Sequence, residues 1–338
     1  MNTSLPDFRA TVLDTLIALL WRQWASIGVS GFSQAQETQV VDPEALLVLT
    51  ATVGRHDARL FDAVLDWLQI NSRYLNAQRL RNLTRRADPS AQAVISSMAH
   101  TLSGRSEAAL KWRVLASSFS LPNTSSLFYQ DSQTPMPVIG EPDKTYLGHG
   151  LLRRPYSSRG SAGVFPGEGI PALLLRLRAL LGVNIRCEIL CLLGARTEAH
   201  PSLLARLIGQ SPRTLQSVLA DMVRSGVVQL RPGTREKNYA LVPGPLDPLL
   251  RPGGPTPWMN SVPLFAAFET IWLGISDPRC DELDTLTLAS QWRRLAMEVS
   301  PHFGLAGCGQ PLSHTAKLQG EQYCQVFVDD VLGLLARA

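Results

Sequence analysis

The chain has 338 residues, of which 45% are hydrophobic and 18% charged, and its formal net charge is +4. This composition supplies enough apolar surface for packed cores and excludes a disordered or collagen-like chain, and the length suits two or three domains. Five cysteines without framework spacing exclude a disulfide scaffold and point to free thiols in a reducing compartment.

The first ten residues show neither the charged start nor the cleavage pattern of a secretory leader, which predicts a cytoplasmic protein. The most apolar run, residues 11–24, contains Asp14, Arg22 and Gln23 and falls short of the roughly 20 apolar residues of a bilayer crossing. It predicts an amphipathic core or dimer helix and no membrane span. Asp42 before Pro43, then Asp57, then Asn76 mark three successive helix starts. The third of these helices would bury Leu80 and Leu83 and show Gln78, Arg79, Arg81, Arg85 and Arg86 to solvent. Residues 70–113 carry eight Arg or Lys against two acids, a local net charge of +6. A second, degenerate helix-turn-helix or winged helix fits this pattern, with these five residues as a second DNA-binding set. A helical bundle with a solvated Arg face fits it equally. Residues 1–116 are assigned to an N-terminal helical domain.

Residues 117–169 are rich in Pro, Gly and Ser and have no hydrophobic period, so they read as a linker or an irregular strap over neighbouring domains. Arg153, Arg154 and Arg159 in this stretch could add phosphate contacts, but isolated arginines in loops are usually only solvated. Gly163, Gly167 and Gly169 form no phosphate-binding loop, because no Lys-Ser or Lys-Thr follows them.

The most informative stretch is residues 183–241. Asn184 can cap a helix burying Ile185, Ile189, Leu192 and Leu193, and a second helix from Pro201 packs through Leu203, Leu204 and Leu207 and stops at Gly209. Only Gly209 and Gln210 separate it from Ser211, the N-cap of a third helix with Pro212 at its first position and Gly226 beyond its end. So short a turn makes the two helices cross steeply. Leu215, Val218, Leu219, Met222 and Val223 form one apolar stripe on the third helix. Arg213, Thr214, Gln216, Ser217 and Arg224 lie on the opposite face. Arg and Gln can bond a purine edge in bidentate fashion, and Ser and Thr reach phosphate. After Gly226, Val228 and Leu230 alternate with polar residues, residues 231–235 supply a turn, and Tyr239 and Leu241 alternate on the way back, predicting a β-hairpin with a basic tip. Residues 170–242 hold ten Arg or Lys against four acids, net +6, so the positive charge of the chain is concentrated here and in residues 70–113.

These residues resemble the winged helix-turn-helix domains of bacterial transcriptional regulators of the MarR, ArsR and GntR kinds. The likeness covers about 60 to 70 residues and is specific for a fold, while saying little about any regulated gene. It implies a recognition helix at residues 211–225 lying in a major groove, with Ser211, Arg213, Thr214, Gln216, Ser217 and Arg224 facing the duplex and Arg231, Arg235 and Lys237 on the backbone beside it. The function it implies is a sequence-specific DNA-binding regulator, a repressor, with double-stranded DNA as partner. A winged-helix interaction subunit that binds a protein or nonspecific nucleic acid is the alternative, because fold alone does not fix function.

Past a Pro/Gly hinge, residues 262–275, 281–299 and 320–336 read as helices with apolar faces that include Phe265, Phe268, Trp272, Trp292, Tyr323 and Phe327. That surface must be buried somewhere, which predicts dimerisation or signal reception by residues 243–338 and a homodimer, with a monomeric helical cap on the other domains as the alternative. Cys187 and Cys191 stand one helical turn apart, but the Cys-x-Cys motif of cysteine metal sensors is missing, and buried cysteine is a small hydrophobe. Cys280, His302, Cys308, His314 and Cys324 lack the spacing of a structural zinc site. Without a nucleophile elbow, Walker loop or dinucleotide fingerprint, neither an enzyme nor a cofactor is predicted. The fold class expected is mainly α: a winged helix-turn-helix at 170–242 with a small β-hairpin wing, flanked by helical domains.

Overall fold

Many helix starts among the described residues follow side-chain caps that the local sequence supplies. In the computed structural model, residues 4–31, 38–104, 109–231, 237–244, 246–250, 254–309, 311–312 and 317–337 are described. Ser4 caps α1 (Leu5–Ser26), Asp42 caps α2 (Pro43–Thr52), Asp57 caps α3 (Ala58–Asn71), Asn76 caps α4 (Ala77–Thr84) and Asp88 caps α5 (Pro89–Ser103). Each cap side chain accepts from a backbone N–H two or three residues further on, satisfying a donor the helix itself cannot. α6 (Ala109–Ala116) follows and packs on α5. In α1, Phe8, Val12, Leu16, Leu20 and Trp24 recur every fourth residue and are buried. They face α2, α13 (Ser261–Ser276) and α15 (Gly320–Leu335), so α1 is a core helix of its own chain.

Residues 117–169 form a strap. β1 (Ser125–Ser126) pairs in parallel with β2 (Leu151–Leu152) on either side of the single-turn α7 (Lys144–Leu147). Leu127, Phe128, Tyr146, Leu151, Tyr156 and Phe165 drop from the strap into the core beneath. Arg153 departs from the solvated reading. It is buried, pairs with Asp62 at 2.8 Å, and has its guanidinium within 5.9 Å of the ring centroids of Phe61, Phe128, Tyr146 and Tyr156. The four rings converge from α3 and three separate points of the strap, a cation-π enclosure invisible to local sequence. Arg154 and Arg159 are exposed.

Next come α8 (Leu173–Leu181), α9 (Ile185–Gly194), α10 (Pro201–Ile208), α11 (Pro212–Arg224), the antiparallel strands β3 (Val228–Arg231) and β4 (Asn238–Leu241), and the short α12 (Asp247–Leu250). They enclose a second core, to which Val40 and Trp258 also contribute. α13 and, after a 3-10 turn at Pro278–Glu282, α14 (Thr285–Ala306) and α15 return to the first core. There Phe8 of α1 meets Trp292 edge-on at 5.7 Å, and Trp292 stacks on Phe327 at 4.9 Å. The apolar faces of the C-terminal helices are thus covered by helices of the same chain, which answers the need that pointed to a dimer. Among the described residues the architecture is mainly helical with two small two-stranded sheets. No helix among the described residues is long and apolar enough to cross a membrane.

A buried chain of charges joins the two cores. Arg79 of α4 pairs with Asp42 at 2.5 Å and with Glu44 at 2.7 Å, and Glu44 also pairs with Arg178 of α8 at 2.8 Å, which reaches Glu188 of α9 at 2.6 Å. All five side chains are excluded from water. Burial opposes every one of these charges. The opposite partners outweigh it, holding the Asp42 carboxyl below the ordinary carboxylate range and both guanidiniums above theirs. The expectation that Arg79 faces solvent is therefore corrected: its acceptors come from α2 and from the Ile208 carbonyl at 2.7 Å, far away in sequence.

Candidate nucleic-acid interface

The candidate site is built on a helix pair with a two-residue turn. α10 ends because Gly209 takes a left-handed φ of 76°, and its N–H and that of Gln210 both return to the Ala205 carbonyl. The space is also tight, since a Cβ there would lie 2.5 Å from Leu83 Cδ2 of α4 and that side chain would have to shift. The Ser211 hydroxyl then accepts from the Thr214 N–H at 3.2 Å and lies 2.8 Å from the Thr214 hydroxyl, starting α11 with Pro212 in its first turn. After Arg224, Gly226 takes a φ of 74° and turns the chain into β3.

α11 buries Leu215, Leu219 and Met222 against α9, α10 and β3, while Val218 is half-buried and Val223, predicted in the stripe, is 37% exposed. On the other side Ser211, Arg213, Thr214, Gln216, Ser217 and Arg224 are all exposed. Among the described residues, the Arg213, Gln216 and Ser217 side chains have no hydrogen-bond or ion-pair partner. Arg224 lies 3.6 Å from Asp221, which stands at the same distance from Arg186 of α9. These are loose exposed pairs, worth little individually, but they place a neutralising cation on each side of the one acid of this helix.

The hairpin pairs Val228 with Leu241 and Leu230 with Tyr239. Val228 and Leu241 sit in the second core, whereas Leu230 is 45% exposed. Arg231 and Lys237 are exposed at the outer end, and Arg235 lies outside the described residues. Sequence reasoning missed two parts of this unit. Ala199 bridges Tyr239 through two hydrogen bonds of 2.9 and 3.0 Å, tying the start of α10 to the hairpin, and Arg186 joins the surface around Asp221. A single bridging residue carries no period by which it could have been found.

The second basic set does not form one face. Gln78, Arg85 and Arg86 are exposed, Arg81 is half-buried, and Arg79 is enclosed in the ion chain. Asn82 donates to the Gln210 side chain at 3.2 Å and Leu83 lies against Gly209, so α4 seats the turn that precedes α11. Cys187 and Cys191 are buried side by side on α9, where burial pushes the Cys187 thiol up to about 11 and raises that of Cys191 well above its ordinary range, so both remain thiols at neutral pH. Among the described residues no group of three His, Cys, Asp or Glu is placed to hold a metal ion, and His314 lies outside them. No protein family, curated protein or solved structure matches the chain.

Proposed function

We propose that this chain is a sequence-specific DNA-binding transcriptional regulator, a repressor, whose residues 170–242 act as a winged helix-turn-helix. One observation carries the reading: the polar face of α11 and the exposed Arg231 and Lys237 of the hairpin are uncovered, while Leu215, Leu219 and Met222 on the opposite face of the same helix are buried in its core. A polar surface with unpaired Arg, Gln and Ser at the opening turns of a helix is suited to a major groove. The hairpin cations beside it would contact phosphate and contribute binding that falls with salt.

Selection from a random duplex library, followed by fluorescence anisotropy on the selected and on scrambled sequences, tests this. Arg213→Ala and Gln216→Ala should each cost about 1 to 3 kcal/mol on the selected sequence and relax base preference. Lys237→Ala should weaken all sequences alike and reduce the salt slope by about one. Equal losses from all three on selected and scrambled DNA would remove direct readout and favour an interaction module.

A further inference from the structure

Between α2, the end of α4, α10, α13 and α14 lies a cavity of about 360 Å³, within the range that holds small organic ligands. Its walls are largely apolar, with Val48, Leu49, Leu83, Val262, Phe265 and Leu305 contributing side chains. Its polar groups are Arg86, Arg206, Glu269, Thr270, Glu298 and His302. Glu269 is buried and accepts from the Thr52 hydroxyl at 2.6 Å, and burial pushes its carboxyl up toward the neutral form. Arg86 and Arg206 are exposed, so they stand on the solvent side of the cavity, and neither side chain has a polar partner among the described residues. The lining thus carries two unpaired guanidiniums and, in Glu298, one exposed carboxylate, an excess of positive charge beside an apolar interior.

The walls have a second neighbour. Leu83 and Val262 also flank Gly209, where an added Cβ would lie 2.5 Å and 3.8 Å from their respective methyl carbons, and Arg206 belongs to α10 itself. Side chains that line the cavity therefore also seat the turn before α11.

We propose that this cavity binds a small organic carboxylate with an apolar body, the body lying against Leu49, Leu83 and Phe265 and the carboxylate held by Arg86 and Arg206, and that occupancy is transmitted to the α10–α11 turn. A regulatory meaning of this binding rests on the proposed DNA reading. The binding itself does not, and it is measured without DNA.

Isothermal titration calorimetry of the full chain with octanoate, octylamine and octanol tests the site, with hydrogen exchange followed across residues 205–217. Octanoate should bind saturably and protect that segment, and the exposed pair Arg86→Ala/Arg206→Ala should bind it about ten-fold more weakly or worse while folding normally. Octylamine and octanol should bind far more weakly. Absence of octanoate binding at about millimolar concentration, equal binding of octylamine, or full retention of affinity in the double variant would overturn the site. Binding that leaves exchange at residues 205–217 unchanged would overturn the transmission to the turn. Failure of the DNA experiment with octanoate still bound would strike the regulator reading alone.

Discussion

Arg79 has its charge matched inside the protein, so removing its guanidinium leaves Asp42 without its cation in a water-free setting and Glu44 with Arg178 alone. Arg79→Met is expected to lower unfolding stability by about 3 to 5 kcal/mol, read from the urea midpoint; a change under about 1 kcal/mol would mean that water reaches the carboxylates. His56 gives a second test at this scale. Burial beside Trp272 and Tyr129 pushes its imidazole down to about 4, although its Nδ1 faces the Asp131 carbonyl at 2.8 Å. The fold therefore favours the neutral ring, and the stability this contributes is complete above the unfolded value near 6.5 and is lost as pH falls toward 4. The wild type should lose up to about 3 kcal/mol more than His56→Gln across that window in denaturation experiments at stepped pH. Parallel curves for the two proteins would refute the assignment.

At the scale of elements, α11 begins on one hydroxyl, and Ser211→Ala should cost about 0.5 to 2 kcal/mol of thermal stability, with extra hydrogen exchange confined to the first turns of that helix. The same cap was legible in the sequence, as were those of Asp42, Asp57, Asn76 and Asn184, because a capping oxygen and the N–H it meets lie within three residues of each other. The apolar stripe of α11 was legible for a similar reason, since helical periodicity encodes which side must be covered. What covers it is not encoded locally. The second basic set failed at Arg79 because an arginine next to Leu80 reads as solvated until Asp42, Glu44 and the Ile208 carbonyl are brought to it by the tertiary fold. Arg153 failed in the same way, its surroundings being assembled from four places in the chain. The Arg86 and Arg206 cavity had no sequence signal at all, because its lining comes from five elements without a shared spacing.

For the whole molecule, the question is how independently the two cores melt. Trp21, Trp24, Trp67, Trp112, Trp272 and Trp292 all report on the first core, and only Trp258 packs on the second. With Arg178 bonded to Glu44 on one side and Glu188 on the other, tryptophan fluorescence and hydrogen exchange of α9 to α11 should follow a single transition. Arg178→Met should pull the two signals apart, with α9 to α11 opening first. A wild-type chain that already shows two separated transitions would mean that the buried charges do not couple the cores.

That ion chain also bears on how the protein can be dissected. A fragment cut at residues 170 and 242 would carry Arg178 and Glu188 away from Glu44, lose Val40 and Trp258 from its interior, and leave Gly209 without the leucine that backs it. Residues 170–242 alone are thus expected to be a poor stand-alone unit, since their interior and their buried charges are completed by the rest of the chain.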